Sequence, residues 1–241
     1  MTLLVLGASS DVGGSLIEFL ADRYDSIIAH YLHMNDQLMA LKKKYGEKIV
    51  LYQADLSDEN DLCRLIVMLT DLKSIPSHIV HLPAQKIKLQ KFSKIPWEDF
   101  ENSFEISVRS IIKILQLLLP KMAKEKYGRV VIMLSDAVVG NPPKYSVDYV
   151  TTKYALLGLV KSLGLEYADK GITVNGVSPS FIETKFVNEL PEFFWEENRK
   201  KNPVGRNLVP MDIIPIIDML LSDEAACING QNISINCGGN N

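Results

Sequence analysis

Seven short apolar runs, separated by longer amphipathic segments, constrain the fold of this 241-residue chain more than any other feature. The predicted strands are residues 2–6, 26–31, 48–53, 78–82, 129–134, 172–177 and 231–235. The predicted helices are residues 11–23, 36–45, 58–72, 97–124, 148–169 and 211–221. Strands that are apolar almost throughout need cover on both faces, which is typical of parallel strands joined by helical crossovers. The sequence therefore predicts an α/β fold with a doubly wound, seven-stranded parallel sheet and helices on both faces.

Composition narrows the class of protein further. No repeat or linker interrupts the pattern, so we predict a single domain over residues 1–241, with residues 185–206 as a lid over the substrate. A hydrophobic content of 47% and a net charge of −3 favour a soluble protein without a nucleic-acid or membrane partner. We expect no secretion signal and no membrane span, because the apolar runs are too short.

Histidine and cysteine spacing gives no sign of a metal site or a disulfide framework. The four histidines, His30, His33, His78 and His81, do not form a metal-binding motif, so no metal is expected. The three cysteines, Cys63, Cys227 and Cys237, are far apart and form no C-x-x-C pair. This usage predicts a reducing compartment, the cytoplasm.

The loop GASSDVGG, residues 7–14, lies between the first strand and the first helix. A helix start at this position offers backbone N–H groups and a positive dipole end to a phosphate group. Gly7 permits the sharp turn, Ser9 and Ser10 add hydroxyl donors, and Gly13 allows close packing of the helix. The alternative is an ordinary helix start with Asp11 as N-cap. If the loop does bind a pyrophosphate, we expect the Asp11 carboxylate to weaken that binding without abolishing it.

Tyr149 and Lys153 lie four residues apart on a predicted helix and therefore share one face. A lysine ammonium near a phenol favours the phenolate, which lowers the pKa of the tyrosine toward neutrality. Ser135 ends the fifth strand, at the edge where doubly wound sheets form their sites. A Y-x-x-x-K pair alone is more often a surface pair, so this pattern by itself leaves catalysis open.

Taken together, these segments resemble the short-chain dehydrogenase/reductase family, with its Rossmann fold, over nearly the whole chain. The likeness is greatest to the 3-oxoacyl-[acyl-carrier-protein] reductase group. The matching segments are GASSDVG, QADLSD with Asp55, GRVVIMLS with Ser135, YVTTK with Tyr149 and Lys153, KGITVNGVSPSFIET with Ile182 and Thr184, and GQNISINCGG.

The resemblance implies an NAD(P)(H)-dependent oxidoreductase that reduces a carbonyl to an alcohol, or performs the reverse reaction. Tyr149 would protonate the carbonyl oxygen, Lys153 would bind the ribose hydroxyls, and Ser135 would hydrogen-bond the substrate oxygen. Ser107 takes the place of the asparagine that anchors a proton-relay water. The implied cofactor contacts are Gly7, Ser9, Ser10, Asp11, Val12, Gly13, His33, Asp55, Leu56, Ala84, Tyr149, Lys153, Ile182 and Thr184.

Several positions depart from the family pattern. Asp11 replaces the middle glycine of the loop, residues 82–85 read LPAQ where the family has N-N-A-G, and Ser180 follows Pro179 in place of glycine. Because the Ser–Tyr–Lys trio is intact, an active enzyme is favoured. The alternative is a catalytically impaired, cofactor-binding regulatory or scaffold protein.

The residues after the second strand bear on the choice of cofactor. No acid stands directly at the end of that strand, and His33 with the loop serines suits a 2′-phosphate. NADP(H) is therefore favoured, and NAD(H) is possible.

The lid segment and its surroundings bear on substrate and assembly. Its aromatic residues suggest an apolar wall, or packing between subunits. Seven cations form either a basic rim for an acidic carrier protein or an ordinary solvated face: Lys86, Lys88, Lys91, Arg199, Lys200, Lys201 and Arg206. The substrate is thus a carrier-bound 3-oxoacyl group or another small biosynthetic carbonyl compound. By resemblance, helices 97–124 and 148–169 form the interfaces of a homotetramer, with a dimer second.

Overall fold

The computed structural model describes residues 1–239 and contains one seven-stranded sheet. The strands are β1 (Thr2–Leu6), β2 (Ser26–Tyr31), β3 (Ile49–Gln53), β4 (His78–His81), β5 (Gly128–Met133), β6 (Ile172–Pro179) and β7 (Asn232–Ile235). They pair in the order β3-β2-β1-β4-β5-β6-β7, and every pair is parallel. The predicted doubly wound sheet is confirmed.

Helices cover both faces of the sheet. They are α1 (Asp11–Leu20), α2 (Asp36–Tyr45), α3 (Glu59–Thr70), α4 (Trp97–Phe104), α5 (Ser110–Glu125), α6 (Val147–Glu166), α7 (Glu192–Lys201) and α8 (Ile214–Leu221). Buried apolar residues of α1, α2 and α8 form one core, and those of α3, α5 and α6 form the other. Within residues 1–239, no helix has the length and apolar character needed to cross a bilayer.

The first helix begins at Asp11, as predicted, but its capping residue differs from the one considered in the sequence. Ser10, not Asp11, is the N-cap: its backbone is extended and its Oγ accepts a hydrogen bond from the Gly13 N–H at 3.0 Å. Asp11 is the first helical residue, so the expectation that it caps the helix is wrong. Serine suits the position because its short side chain folds back onto the third N–H of the helix.

The long helix predicted over residues 97–124 contains an irregular turn. A π-helical segment, Glu105–Arg109, joins α4 to α5. Within it, the carbonyl of Ser107 accepts a hydrogen bond from His81 Nε2 on β4 at 2.8 Å. Wider π turns are frequent at functional sites, and apolar periodicity does not reveal them.

The segment predicted to be a lid, residues 185–206, follows β6 and contains α7. Ile182 makes an isolated parallel bridge with Leu208, and the Glu183 N–H donates to the Leu208 carbonyl at 2.8 Å. Helix α7 lies between these two anchored ends. The segment therefore begins and ends beside the bridge that follows the carboxyl end of β6.

Candidate active site

Ser135, Tyr149 and Lys153 meet at the carboxyl edge of β5. Ser135 follows the end of β5, and its hydroxyl acts on the Tyr149 phenol by lowering the pKa of that tyrosine. Lys153, one helical turn after Tyr149, is 2% exposed, and its Nζ lies 5.5 Å from the centre of the Tyr149 ring. The Lys153 ammonium donates to the carbonyl of Met133 at 2.8 Å. A hydroxyl, a phenol and an amine thus converge on one point of the sheet edge.

Burial shifts the pKa values of Tyr149 and Lys153, and the shift of Tyr149 is opposite to the one expected from the sequence. Burial raises the pKa of Tyr149 to about 12, and the Ser135 hydroxyl opposes that rise. Burial also lowers the pKa of Lys153 to about 7. The expected lowering of the tyrosine pKa by the lysine charge is therefore wrong for the protein alone, because loss of water disfavours both charged forms.

Asp136 is a further member of the site that the sequence interpretation missed. Its carboxylate accepts a long hydrogen bond from the Ser135 hydroxyl at 3.4 Å, and its charge adds to the rise in the pKa of Tyr149. The Ala137 N–H donates to Ser135 Oγ at 3.2 Å, which fixes the serine rotamer. The position of Asp136 directly after Ser135 is the sequence signal that could have revealed it.

The glycine loop lies at the same edge, at the end of β1. Gly7 has a φ of +81°, and a Cβ added there would lie 3.3 Å from Leu82 Cβ. A Cβ at Gly13 would lie 2.5 Å from the Gly7 carbonyl oxygen, so only glycine permits this close approach. The N–H groups of Asp11 and Val12, in the first turn of α1, have no acceptor within the helix. This cradle fits a pyrophosphate group.

Two loop side chains are engaged inside the protein rather than free for a ligand. The Ser10 hydroxyl donates to the Gly7 carbonyl at 2.7 Å, so its predicted donation to a phosphate is not available in this arrangement. The Asp11 carboxylate accepts from the Lys185 N–H at 2.6 Å. This bond holds Thr184, the residue before Lys185, close to the start of α1. Ser9 is half-buried.

The turn after β3 holds the predicted adenine contacts. The Asp55 carboxylate accepts from the Ser57 N–H at 2.9 Å and from its hydroxyl at 2.6 Å. Leu56 is only 4% exposed and belongs to the core, so its side chain cannot line the predicted contact. Ala84, in the loop after β4, is half-buried.

The turn after β2 contains one residue that sequence reasoning missed. Asn35 caps α2 by accepting from the Leu38 N–H at 2.8 Å, and its Nδ2 donates to the Ser9 carbonyl at 2.6 Å. It therefore ties the glycine loop to the second crossover. Its position before the acid of the first helical turn is a usual N-cap signal. His33, which was predicted to contact the cofactor, is exposed two residues before Asn35.

Ser107 lies deep in the protein. It is fully buried, and its hydroxyl has no hydrogen-bond partner among the described residues. Its carbonyl, by contrast, is held by His81. The main chain of Ser107, rather than its hydroxyl, is thus the group that this structure fixes.

Most of the predicted basic rim is ion-paired within the chain. The pairs are Lys86–Glu189, Lys88–Asp99, Lys200–Glu196, Lys201–Glu197 and Arg206–Asp212. Each of these five cations therefore has a carboxylate beside it, which the one-dimensional charge pattern did not show. Lys86–Glu189 also joins the loop after β4 to the lid segment.

Comparison with known proteins identifies the family. The family model described as enoyl-(acyl carrier protein) reductase matches residues 7–240. The 3-oxoacyl-[acyl-carrier-protein] reductase FabG of Rickettsia conorii is 28% identical over 238 residues, which cover 98% of this chain and 95% of that protein.

Two solved structures share the fold. The 3-oxoacyl (acyl-carrier-protein) reductase of Agrobacterium tumefaciens, with NADP bound, has a TM-score of 0.87 at 24% identity, covering 98% of this chain and 93% of that one. A 3-oxoacyl-[acyl-carrier protein] reductase of Brucella melitensis, with NAD bound, has a TM-score of 0.88 at 20% identity, covering 100% and 91%. The matched family model and relatives show that the chain is an NAD(P)-dependent oxidoreductase. The chain belongs to the short-chain dehydrogenase/reductase family. The relatives named above are oxidoreductases that act on CH–OH groups.

Proposed function

We propose that this protein reduces a small carbonyl compound to an alcohol with NADP(H), or performs the reverse oxidation. The observation that carries the proposal is the convergence of Ser135, Tyr149 and Lys153 at the sheet edge, beside the glycine cradle. When bound, the reduced nicotinamide supplies the hydride. Because the pKa of Tyr149 is near 12, its hydroxyl is protonated at neutral pH and is ready to donate.

Each member of the trio has a distinct part. Ser135 donates a hydrogen bond to the substrate oxygen and orients the carbonyl. Tyr149 gives its proton to that oxygen as the alcohol forms, and its phenolate then regains a proton from solvent. Lys153 supplies the nearby positive charge that stabilises the transient phenolate, and in this proposal its ammonium also binds the ribose hydroxyls.

The loop after β2 supports NADP(H) over NAD(H). No carboxylate stands directly at the end of β2, and His33, two residues beyond that strand, is an exposed imidazole whose chemistry suits a 2′-phosphate. Asp36, the nearest acid, begins α2. Calorimetric titration with both cofactor pairs tests this preference, and we expect NADPH to bind on the order of tenfold more tightly than NADH. Tighter binding of NADH would reverse the assignment.

Ion pairing supports a free carbonyl substrate over a carrier-bound one. A carrier protein that is acidic binds through unpaired cations, and five of the cations nearest the lid are paired. We therefore expect an acetoacetyl group on a short pantetheine thioester to be reduced with a kcat/KM within about tenfold of that on the carrier protein. A preference for the carrier of 100-fold or more would favour the carrier-bound substrate.

Replacement of Tyr149 by Phe tests the proposed function directly. We expect kcat to fall by on the order of 10³-fold, because the proton donor is lost, while the Kd for NADPH stays within about threefold of the unmodified value. Tyr154→Phe, one turn further along α6 and half-exposed, is the matched control and keeps full activity. Full activity in the Tyr149 variant would refute the proposal. Tight NADPH binding without turnover over a broad carbonyl panel would indicate a regulatory or scaffold protein instead.

A further inference from the structure

His30 is a buried imidazole that the reaction chemistry does not use. It lies on β2, the second strand of the sheet, between β1 and the edge strand β3, and is 2% exposed. Its Nδ1 is hydrogen-bonded to the Gly7 N–H at 3.2 Å, and its Nε2 to the Ala54 carbonyl at 3.0 Å. One side chain therefore contacts both the glycine loop and the turn that begins at Ala54.

The two partners fix the protonation of this imidazole. A backbone N–H can only donate and a carbonyl can only accept, so Nδ1 is bare and Nε2 carries the hydrogen. Burial lowers the pKa of His30 to about 4, with the charge of Asp55 acting in the opposite direction. The imidazole is neutral at physiological pH, and both of its nitrogens are satisfied by main-chain atoms.

The two contacts lie just beyond the regular strands. β1 ends at Leu6 and β3 ends at Gln53, so Gly7 and Ala54 are each the first residue after their strand. Main-chain bonds from Ala8 to His30 and from Ala54 to Tyr31 hold the neighbouring atoms. The Gly7 N–H and the Ala54 carbonyl are left to the His30 side chain, which spans the gap between them.

These two turns are the parts of the site that would hold the two ends of the adenosine diphosphate unit. Gly7 begins the cradle for the pyrophosphate, and Ala54 directly precedes Asp55. We propose that His30 is a positioning residue for the nicotinamide cofactor, setting the separation of the glycine loop from the Asp55 turn through its two main-chain hydrogen bonds. This assignment rests on the proposed function, because it presumes that the cradle binds a dinucleotide.

The test compares cofactor affinity across substitutions of His30. His30→Leu fills similar space without polar atoms, and we expect its Kd for NADPH to rise at least tenfold. The kcat at saturating NADPH stays within about threefold, since the Ser135, Tyr149 and Lys153 trio is untouched. His30→Gln keeps one donor and one acceptor and restores most of the affinity. His30→Asn keeps an acceptor for Gly7 but is too short to reach Ala54. We expect its Kd for NADPH to lie between those of the Leu and Gln variants.

His78 provides the matched control. It is also a buried histidine, 3% exposed, and its two nitrogens are hydrogen-bonded to Tyr24 at 2.5 Å and Tyr127 at 3.0 Å. It lies at the start of β4, at the opposite edge of the sheet from the cofactor cradle. His78→Leu should lower the melting temperature as His30→Leu does, yet leave the Kd for NADPH within twofold.

The outcomes separate this inference from the proposed function. An unchanged Kd in folded His30→Leu, or an equal loss of affinity in His78→Leu, would overturn the role of His30 alone. If His30→Leu does not fold, the Gln and Asn variants decide: equal affinities in both and in the unmodified protein would overturn the role. Failure of the unmodified protein to bind NADP(H) or NAD(H) would overturn the proposed function, and this assignment with it.

Discussion

At the scale of single residues, burial of the charged Lys153 side chain lowers the stability of the folded protein. Burial lowers its pKa to about 7, so the folded protein holds a proton on this amine much less readily than the unfolded chain does. Its hydrogen bond to the Met133 carbonyl offsets part of the loss of water. The site therefore keeps a residue that disfavours folding, as the proposed role of Lys153 in the reaction leads us to expect.

Replacement of Lys153 by Met is predicted to stabilise the protein while it removes activity. Methionine has a similar length and no charge to desolvate, so the free energy of unfolding at pH 7 should rise by about 1–3 kcal/mol. Urea unfolding measures the gain, and an NADPH oxidation assay measures the loss of turnover. A less stable Lys153→Met protein would show that the Met133 hydrogen bond outweighs desolvation.

The stability that the Lys153→Met variant gains over the unmodified protein should decrease as the pH rises above 7. The unfolded lysine stays protonated up to about pH 10.5, and the folded one only up to about pH 7, so between these values the unfolded state binds more protons. The stability of the unmodified protein therefore rises with pH across this window. The advantage of the Met variant is largest at pH 7 and shrinks toward pH 10, and a pH-independent difference would contradict this account.

For single residues, the sequence motifs predicted positions in the fold but did not predict burial or hydrogen-bond partners. The spacing of Tyr149 and Lys153 predicted a shared helix face, and the end of the fifth strand predicted the place of Ser135. The shifted pKa values could not be predicted, because burial depends on packing from distant segments. The bonds of His30 and Asn35 to the glycine loop join residues more than 20 positions apart, and no local pattern encodes them.

At the scale of elements, α6 packs closely at one glycine and is open at another. A Cβ at Gly164 would lie 2.6 Å from the Gly230 nitrogen, whereas none of the described residues comes within 4 Å of one at Gly158. Gly164→Ala is predicted to lower the free energy of unfolding by about 1–3 kcal/mol, because main-chain atoms must shift. Gly158→Ala should instead raise it by up to about 1 kcal/mol through helix propensity.

Urea unfolding of both glycine variants, with their oligomeric state measured in the same samples, tests this difference. Equal effects at the two positions would show that α6 can move away from the Gly230 turn. A changed oligomeric state would instead assign the effect to assembly.

Asp11 links two elements, because its carboxylate accepts the Lys185 N–H at the start of the lid. Asp11→Asn keeps an oxygen for this bond but removes the charge beside the phosphate cradle, so NADPH affinity should rise about two- to fivefold. Asp11→Ala removes the bond as well, and should also speed proteolytic cleavage within residues 185–206. Calorimetry and limited proteolysis measure the two effects. Weaker NADPH binding by the Asn variant would show that the carboxylate organises the cradle instead of opposing the cofactor.

The sequence predicted which segments form strands and helices, but it did not predict the irregular turn within the long helix or the exact end of β6. The seven strands follow from their continuous apolar residues, which only a covered parallel sheet accommodates. The π segment Glu105–Arg109 was missed because it keeps the apolar face of the surrounding helix. Its contact with His81 could not be predicted either, because that residue lies on β4, far away in the sequence. The extension of β6 to Pro179 was missed because proline is unusual in a paired strand.

At the scale of the whole molecule, assembly remains a prediction. The helices expected to form a homotetramer carry large exposed apolar side chains, including Leu165 on α6 at 82% exposure and Trp97 on α4 at 68%. Leu165→Glu is predicted to convert a tetramer into smaller species in sedimentation experiments. Val67→Glu, an exposed position on α3 outside these helices, should leave the assembly intact. A monomeric unmodified protein would refute the tetramer.

The interior position of β1 matters while the chain is still on the ribosome. β1 pairs on one side with β2, which follows within 20 residues, and on the other with β4, which begins at His78. At typical translation rates of about 5–20 residues per second, the second edge of this apolar strand stays open for roughly 4–15 s. An open, hydrophobic strand edge recruits other nascent chains. We therefore expect the yield of native protein to depend on the speed of translation across residues 31–78, a stretch that contains none of Ser135, Tyr149 and Lys153.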